Sequence, residues 1–168
     1  MKKLFLIFLT LILTLSFAAC QTNPTGNEQP NDALTGSLED ILDKIYETAE
    51  LSDSFKEFIQ GGLQTTVITA ERSEYYLGKA DIEFEEAIAS EPIMMPSAYE
   101  LDLVRVKEGA DVEAIKNEIK ESVNPNKWIC VGIDPENVIV DNIGDVIIVI
   151  LSDNEGKALH DAFLALKE

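Results

Sequence analysis

The chain has 168 residues, of which 31 are acidic, 13 are basic and one is histidine, giving a formal charge of −18 at pH 7. Such a field opposes nucleic acid and anionic headgroups, because both are bound by neutralising phosphates with Lys and Arg, so no nucleic-acid partner is expected. The lone histidine, His160, excludes His-rich metal sites and any HExxH zinc motif.

Lys2 and Lys3 open the chain. Leu4 to Phe17 is then an apolar run relieved only by Thr10, Thr14 and Ser16, and Ala18-Ala19-Cys20 gives way at once to polar residues. This is the layout of a cleavable export signal. The run falls short of the roughly 20 residues that span a bilayer comfortably, so a permanent transmembrane anchor is the weaker reading. The segment Ser16-Phe17-Ala18-Ala19-Cys20 resembles a bacterial lipobox, with Phe17 where that signal usually carries Leu. The resemblance implies that residues 1–19 are a signal peptide and that Cys20 takes a diacylglycerol as the first mature residue. Two acyl chains hold a protein stably at a membrane where one does not. The expected address is therefore the outer face of the cell membrane. Ordinary cleavage after Ala18 or Ala19, releasing a soluble protein, stays open as the alternative.

Loss of Lys2 and Lys3 would leave 31 acidic and 11 basic side chains, a charge of −20. A lipid-modified Cys20 cannot pair with Cys130, so the exported domain must rest on its core rather than on a disulfide. Residues 20–36 read as a lipid-anchored flexible linker: Gln21 to Gly36 is rich in Asn, Pro, Gly, Thr and Gln and cannot bury enough surface to fold. Residues 37–168 then form one domain with one core.

Ser37 opens a helix, with Asp40 in the acidic place of a capping-box-like pattern and Leu38, Ile41, Leu42, Ile45, Tyr46 and Ala49 on one face. A short helix is expected over 53–60, with Phe55, Phe58 and Ile59 inward and Gly61-Gly62 as the stop. Leu63 to Thr69 reads as a strand, and Glu71 to Leu77 as a helical turn ending at Gly78. Residues 81–89 hint at a strand, with a helix competing, and Glu91 to Pro96 forms a loop. Ala98 to Lys107 alternates as a strand, with Tyr99, Leu101, Leu103 and Arg105 on one face and Ala98, Asp102, Val104 and Val106 on the other. Ala110 to Val123 is an amphipathic helix, ended by Asn124-Pro125. Residues 128–133, 137–141 and 145–151 read as three strands, the last two joined as a hairpin through Asn142-Ile143-Gly144. The wholly apolar Val146 to Leu151 predicts an interior strand covered on both faces. Asp153 is expected to cap a terminal helix to about Leu166. The order predicts an α+β fold: a two-layer sandwich of a mainly antiparallel or mixed sheet with helices packed on it. Residues 98–133 would supply a right-handed parallel crossover within it.

The stretches Ser90-Glu91-Pro92-Ile93-Met94-Met95, Leu103-Val104-Arg105-Val106-Lys107, Lys127-Trp128-Ile129-Cys130-Val131 and Val140-Asp141-Asn142-Ile143-Gly144-Asp145 resemble a group of uncharacterised lipoproteins of clostridia-like Gram-positive bacteria. These share a domain of unknown function. The resemblance covers most of 37–168 and implies an exported lipoprotein; it implies no activity, and no site residue beyond Cys20.

The residues themselves offer few chemical constellations. Cys130 and His160 would make a nucleophilic dyad only if they met, and Cys130 between Ile129 and Val131 reads as core filler in a strand. There is no Gly-x-Ser-x-Gly elbow, phosphate-cradling loop or dinucleotide fingerprint, so no cofactor is expected. Glu83, Glu85, Glu86 and Glu91 would present either a cation site or simply a solvated acidic face. Pro92-Ile93-Met94-Met95-Pro96 is either an adaptable contact loop or a loop folded on the core. Trp128 either stacks on a ligand or anchors the core. The function expected is a non-enzymatic, membrane-tethered binding or envelope-accessory domain with an envelope protein as candidate partner. The alternative is a carboxylate-based hydrolase of cell-envelope polymers, and a third reading is a cation-responsive domain.

Overall fold

The computed structural model describes residues 33–167. The predicted signal peptide, Cys20 and most of the predicted linker lie outside the described residues. Among the described residues five α-helices and a five-stranded antiparallel sheet form, which is the expected α+β fold of a sheet with helices packed on it. In chain order the elements are α1 (Leu38–Thr48), α2 (Asp53–Gly62), β1 (Leu63–Val67), α3 (Ser73–Leu77), β2 (Phe84–Pro92), β3 (Glu100–Val106), α4 (Val112–Ser122), β4 (Val138–Ile143), β5 (Val146–Leu151) and α5 (Gly156–Leu164). The sheet order is β1-β2-β3-β5-β4 and every pairing is antiparallel.

Helices cover both faces of the sheet. One face packs Leu101, Leu103, Ile148 and Ile150 against Leu38, Ile41 and Ile45 of α1 and Leu159 and Phe163 of α5. The other packs Ala87, Ala89, Val104, Ile147 and Val149 against Tyr76 and Leu77 of α3, Ile119 of α4 and the loop residues Trp128 and Ile133. Because both faces are covered, β5 is buried along its whole length, as its unbroken apolar run predicts. The capping box at Ser37 also forms: its Oγ accepts from the Asp40 amide at 3.1 Å, and Asp40 accepts from the Ser37 amide at 3.3 Å. The β4–β5 hairpin turns at Gly144, whose φ of 54° suits the first central position of a tight two-residue turn.

The region after α4 departs from expectation. Residues 128–133 are not a strand. Asn126 donates its amide to Asn124 Oδ1 at 2.9 Å, and the Ile133 amide closes back on the Pro125 carbonyl at 2.9 Å. The chain therefore loops back on itself. Trp128 and Ile133 plug the core while Ile129 is 76% exposed, so apolar composition here does not signal a ladder. The crossover from β3 accordingly ends on β4, not on 128–133. β3 and β4 both run antiparallel to β5, which lies between them, so the two are parallel without being paired. Smaller differences are that β2 begins at Phe84 and runs to Pro92, taking in part of the expected loop, and that α2 continues to Gly62 directly into β1.

Residues 34–36, expected as linker, are tied to the domain. Leu34 packs on the core under α1. Arg105, near the end of β3, donates to the Leu34 carbonyl at 3.0 Å and the Gly36 carbonyl at 2.8 Å. Glu86 at 2.8 Å and Asp145 at 3.5 Å fix the guanidinium in place. The chain thus enters the domain at the pole of the sheet where β3 ends and β5 begins.

Candidate functional site

At the opposite pole, where β3 begins and β5 ends, a cleft of about 860 Å³ opens. Its apolar part is aromatic: Phe55 and Phe58 of α2 sit with centroids 5.9 Å apart, and Phe55 meets the edge of Tyr99 at 5.0 Å. The helical spacing that turns Phe55 and Phe58 inward leaves them only half-buried, because the cleft lies over them. Ser52, Ser97, Ser152, Asn154 and the carboxylates of Glu50, Asp153 and Glu155 supply the polar part, and none of the lining residues is basic.

The walls are braced by side chains. Glu155 is buried, and it accepts from both the hydroxyl and, at 3.3 Å, the amide of Ser52, tying the entry of α5 to the start of α2. Ser152 accepts from the Glu155 amide at 3.1 Å in the turn that leads into α5, whose N-cap is Glu155 and not the expected Asp153. Asp153 instead accepts from Asn137 Nδ2 and the Asp134 amide, each at 2.9 Å, and these bonds hold its carboxyl below the usual range. Tyr99 ends a hydroxyl relay, 2.8 Å from the Tyr46 hydroxyl, which donates to Ser90 at 2.7 Å. Burial pushes both tyrosines above the ordinary phenol range.

No known family model, characterised protein or solved structure matches the chain.

A second polar cluster lies under the α3–α4 face. Glu100 and Asp102 stand two residues apart on β3, so both point to that face, and both are fully buried. Lys127, from the loop after α4, pairs with Glu100 Oε1, and its side chain is 4% exposed. The ammonium also lies 4.8 Å from the Tyr75 ring centroid, 5.3 Å from that of Tyr76 and 5.6 Å from that of Trp128. Glu91 of β2 joins from the next strand, accepting from Thr66 at 2.8 Å and Tyr76 at 2.9 Å. Burial pushes the Tyr76 phenol up, and the Glu91 carboxylate adds to the shift. Sequence reasoning placed Asp102 on this face without remarking on it, and missed Glu100 and Lys127. The readable signal was two acids on the same apolar face as Val104 and Val106.

The residues singled out from sequence are scattered. Cys130 is exposed, free, and held at φ 65°, so it is not core filler in a strand. His160 meets Asp141 at 2.8 Å rather than Cys130. The four glutamates disperse: Glu83 pairs with Lys107, Glu86 with Arg105, Glu85 is exposed, and Glu91 turns to Tyr76. Trp128 is buried as a core anchor. Ile93, Met94 and Met95 are exposed, with Met94 at 78%, so that loop does not fold onto the core. Among the described residues no group of three His, Cys, Asp or Glu side chains has the geometry to hold a metal.

Proposed function

We propose that this chain is a membrane-anchored extracytoplasmic lipoprotein, tethered through lipid on Cys20, whose domain is a binding or envelope-accessory module. The observation that carries the reading is polarity of placement. Arg105 holds the incoming chain at one end of β3, and the cleft opens at the other end, beside Tyr99. A strand of seven residues separates the two poles by about 20 Å at ~3.3 Å per residue. A domain anchored through residues preceding Leu34 therefore presents the cleft away from its anchor. An aromatic floor with a hydroxyl and carboxylate rim, lacking any cation, suits neutral polyhydroxylated or positively charged ligands rather than anionic ones.

The test is photo-crosslinking in intact cells. A photoreactive residue at Asn154, in the cleft, is compared with one at Lys107, at the tether pole. The reading predicts a defined adduct from Asn154 that Lys107 does not give. Equal capture from both positions, or capture only from Lys107, would refute it. Turnover of a wall polymer by the purified full chain, lost on replacing Glu155 or Asp153, would favour the hydrolase instead.

A further inference from the structure

We propose that Glu100, Asp102 and Lys127 form a buried proton-binding site, in which Asp102 holds one proton at neutral pH and donates it to the Glu100 oxygen that Lys127 leaves free. Both carboxyl groups are at zero exposure on one face of β3. Among the described residues no group donates to Glu100 Oε2 or to either oxygen of Asp102, whereas Glu100 Oε1 has Lys127. Three orphaned carboxylate oxygens in an apolar interior would each lose hydration without replacement. Two carboxylates against one ammonium would also leave a net buried charge. A single proton on Asp102 removes the net charge and pairs two of the three oxygens, and the third becomes the carbonyl oxygen of a neutral acid, which costs less to bury than a carboxylate oxygen. The carboxylic acid becomes a donor to Glu100, and the Glu100 carboxylate balances the Lys127 ammonium, so the group of three is neutral overall.

Among the described residues no second cation pairs with either carboxylate. β2 contributes Glu91, a further acid, whose Oε1 is already satisfied by Thr66 and Tyr76. α3 contributes Tyr75 and Tyr76, and Arg72 just before it lies over the Tyr76 ring at 4.8 Å from its centroid rather than on a carboxylate. β5 contributes only the apolar Ile147, Val149 and Leu151 to this face, and α4 contributes Ile119 together with Lys116, whose ammonium is taken by Glu113 at 2.7 Å and Asn142 at 2.9 Å. In agreement, burial first and the Glu100 charge second push the Asp102 carboxyl well above the usual aspartate range. Burial also raises Glu100, opposed by Lys127 and by the hydrogen bond from Asp102.

The consequence is proton-linked folding. In the unfolded chain Asp102 ionises in the ordinary aspartate range, while in the folded domain it keeps its proton to higher pH. The contribution of this group to stability is full below the unfolded value, and it is lost as pH rises toward the folded value. Carboxyl-carbon NMR of the full chain in detergent micelles reads this directly. Asp102 is expected to stay at its protonated shift after the exposed carboxylates have titrated; titration together with them would overturn the proposal. Asp102→Asn, which carries a neutral donor in place of the acid, is expected to keep or raise the neutral-pH Tm and to flatten its pH dependence. A lower Tm with the wild-type slope retained would count against the proton. A rise in the wild-type Tm with millimolar calcium or magnesium, absent in Asp102→Asn, would show that a metal cation and not a proton neutralises the pair.

Discussion

Replacing Lys127 by Met removes the cation paired with Glu100 while keeping most of the apolar volume of the stem. The lysine side chain is 4% exposed and the glutamate wholly buried, so solvent cannot take over the ammonium's role. Removing one partner of such a pair typically costs about 3–5 kcal/mol, because a buried charge is left without compensation. The three aromatic rings around the ammonium add the loss of cation–π contacts, on the order of 0.5–2 kcal/mol in total for a desolvated site. Against a stability of roughly 5–15 kcal/mol, this is a large fraction. A fall in Tm of about 10–20 °C would accompany it for a domain of this size. Glu100 escapes the penalty only by binding a proton. The deficit should therefore be greatest at neutral pH and shrink as pH falls into the ordinary glutamate range. Urea denaturation of both proteins across a pH series gives the difference directly. A loss below about 1 kcal/mol at neutral pH, or one that does not change with pH, would refute the reasoning.

Other expectations follow from geometry. Gly78 ends α3 at φ 81°, and a Cβ there would fall 2.1 Å from the Ser122 carbonyl oxygen, which is backbone and cannot rotate away. Gly78→Ala should cost about 2 kcal/mol or more from strain and displacement of the end of α4, read by thermal unfolding; a cost under about 0.5 kcal/mol would show that α4 yields freely. Arg105→Gln releases the Leu34 and Gly36 carbonyls and should cost about 1–2 kcal/mol. Limited proteolysis should then cut residues 33–37 faster than in wild type while the rest of the domain stays protected; an unchanged cleavage pattern would mean that Leu34 packing alone holds the segment.

Periodicity made most of the fold legible. The α1 stripe, the α4 stripe, the alternation of β3 and the apolar run of β5 each report a packing environment directly, and each is present. The failure at 128–133 has a different origin. Trp-Ile-Cys-Val-Gly-Ile has strand composition, but Trp128 and Ile133 are buried as loop plugs and Ile129 points to water. Composition cannot separate a plug from a ladder when Asn124 and Pro125 bend the chain back just before it. The cleft was hidden for a related reason. Its lining comes from α2, the start of β3 and the β5–α5 junction, and only sheet order brings those three segments together. The buried acids were within reach of sequence reasoning, since an Asp on a strand face shared with Val104 and Val106 is itself anomalous. Their counter-ion was not, because Lys127 lies 25 positions further along, in the segment misread as the approach to a strand.

The address of the chain underlies the proposed function, and lipid labelling tests it most directly. Cells carrying the full chain, wild type or Cys20→Ala, are grown with a clickable palmitate analogue and then fractionated. Label on the wild-type protein in the membrane fraction, with loss of both label and membrane retention in Cys20→Ala, is the predicted result. An unlabelled wild-type protein released into the medium, indistinguishable from Cys20→Ala, would contradict the tether and with it the outward presentation of the cleft.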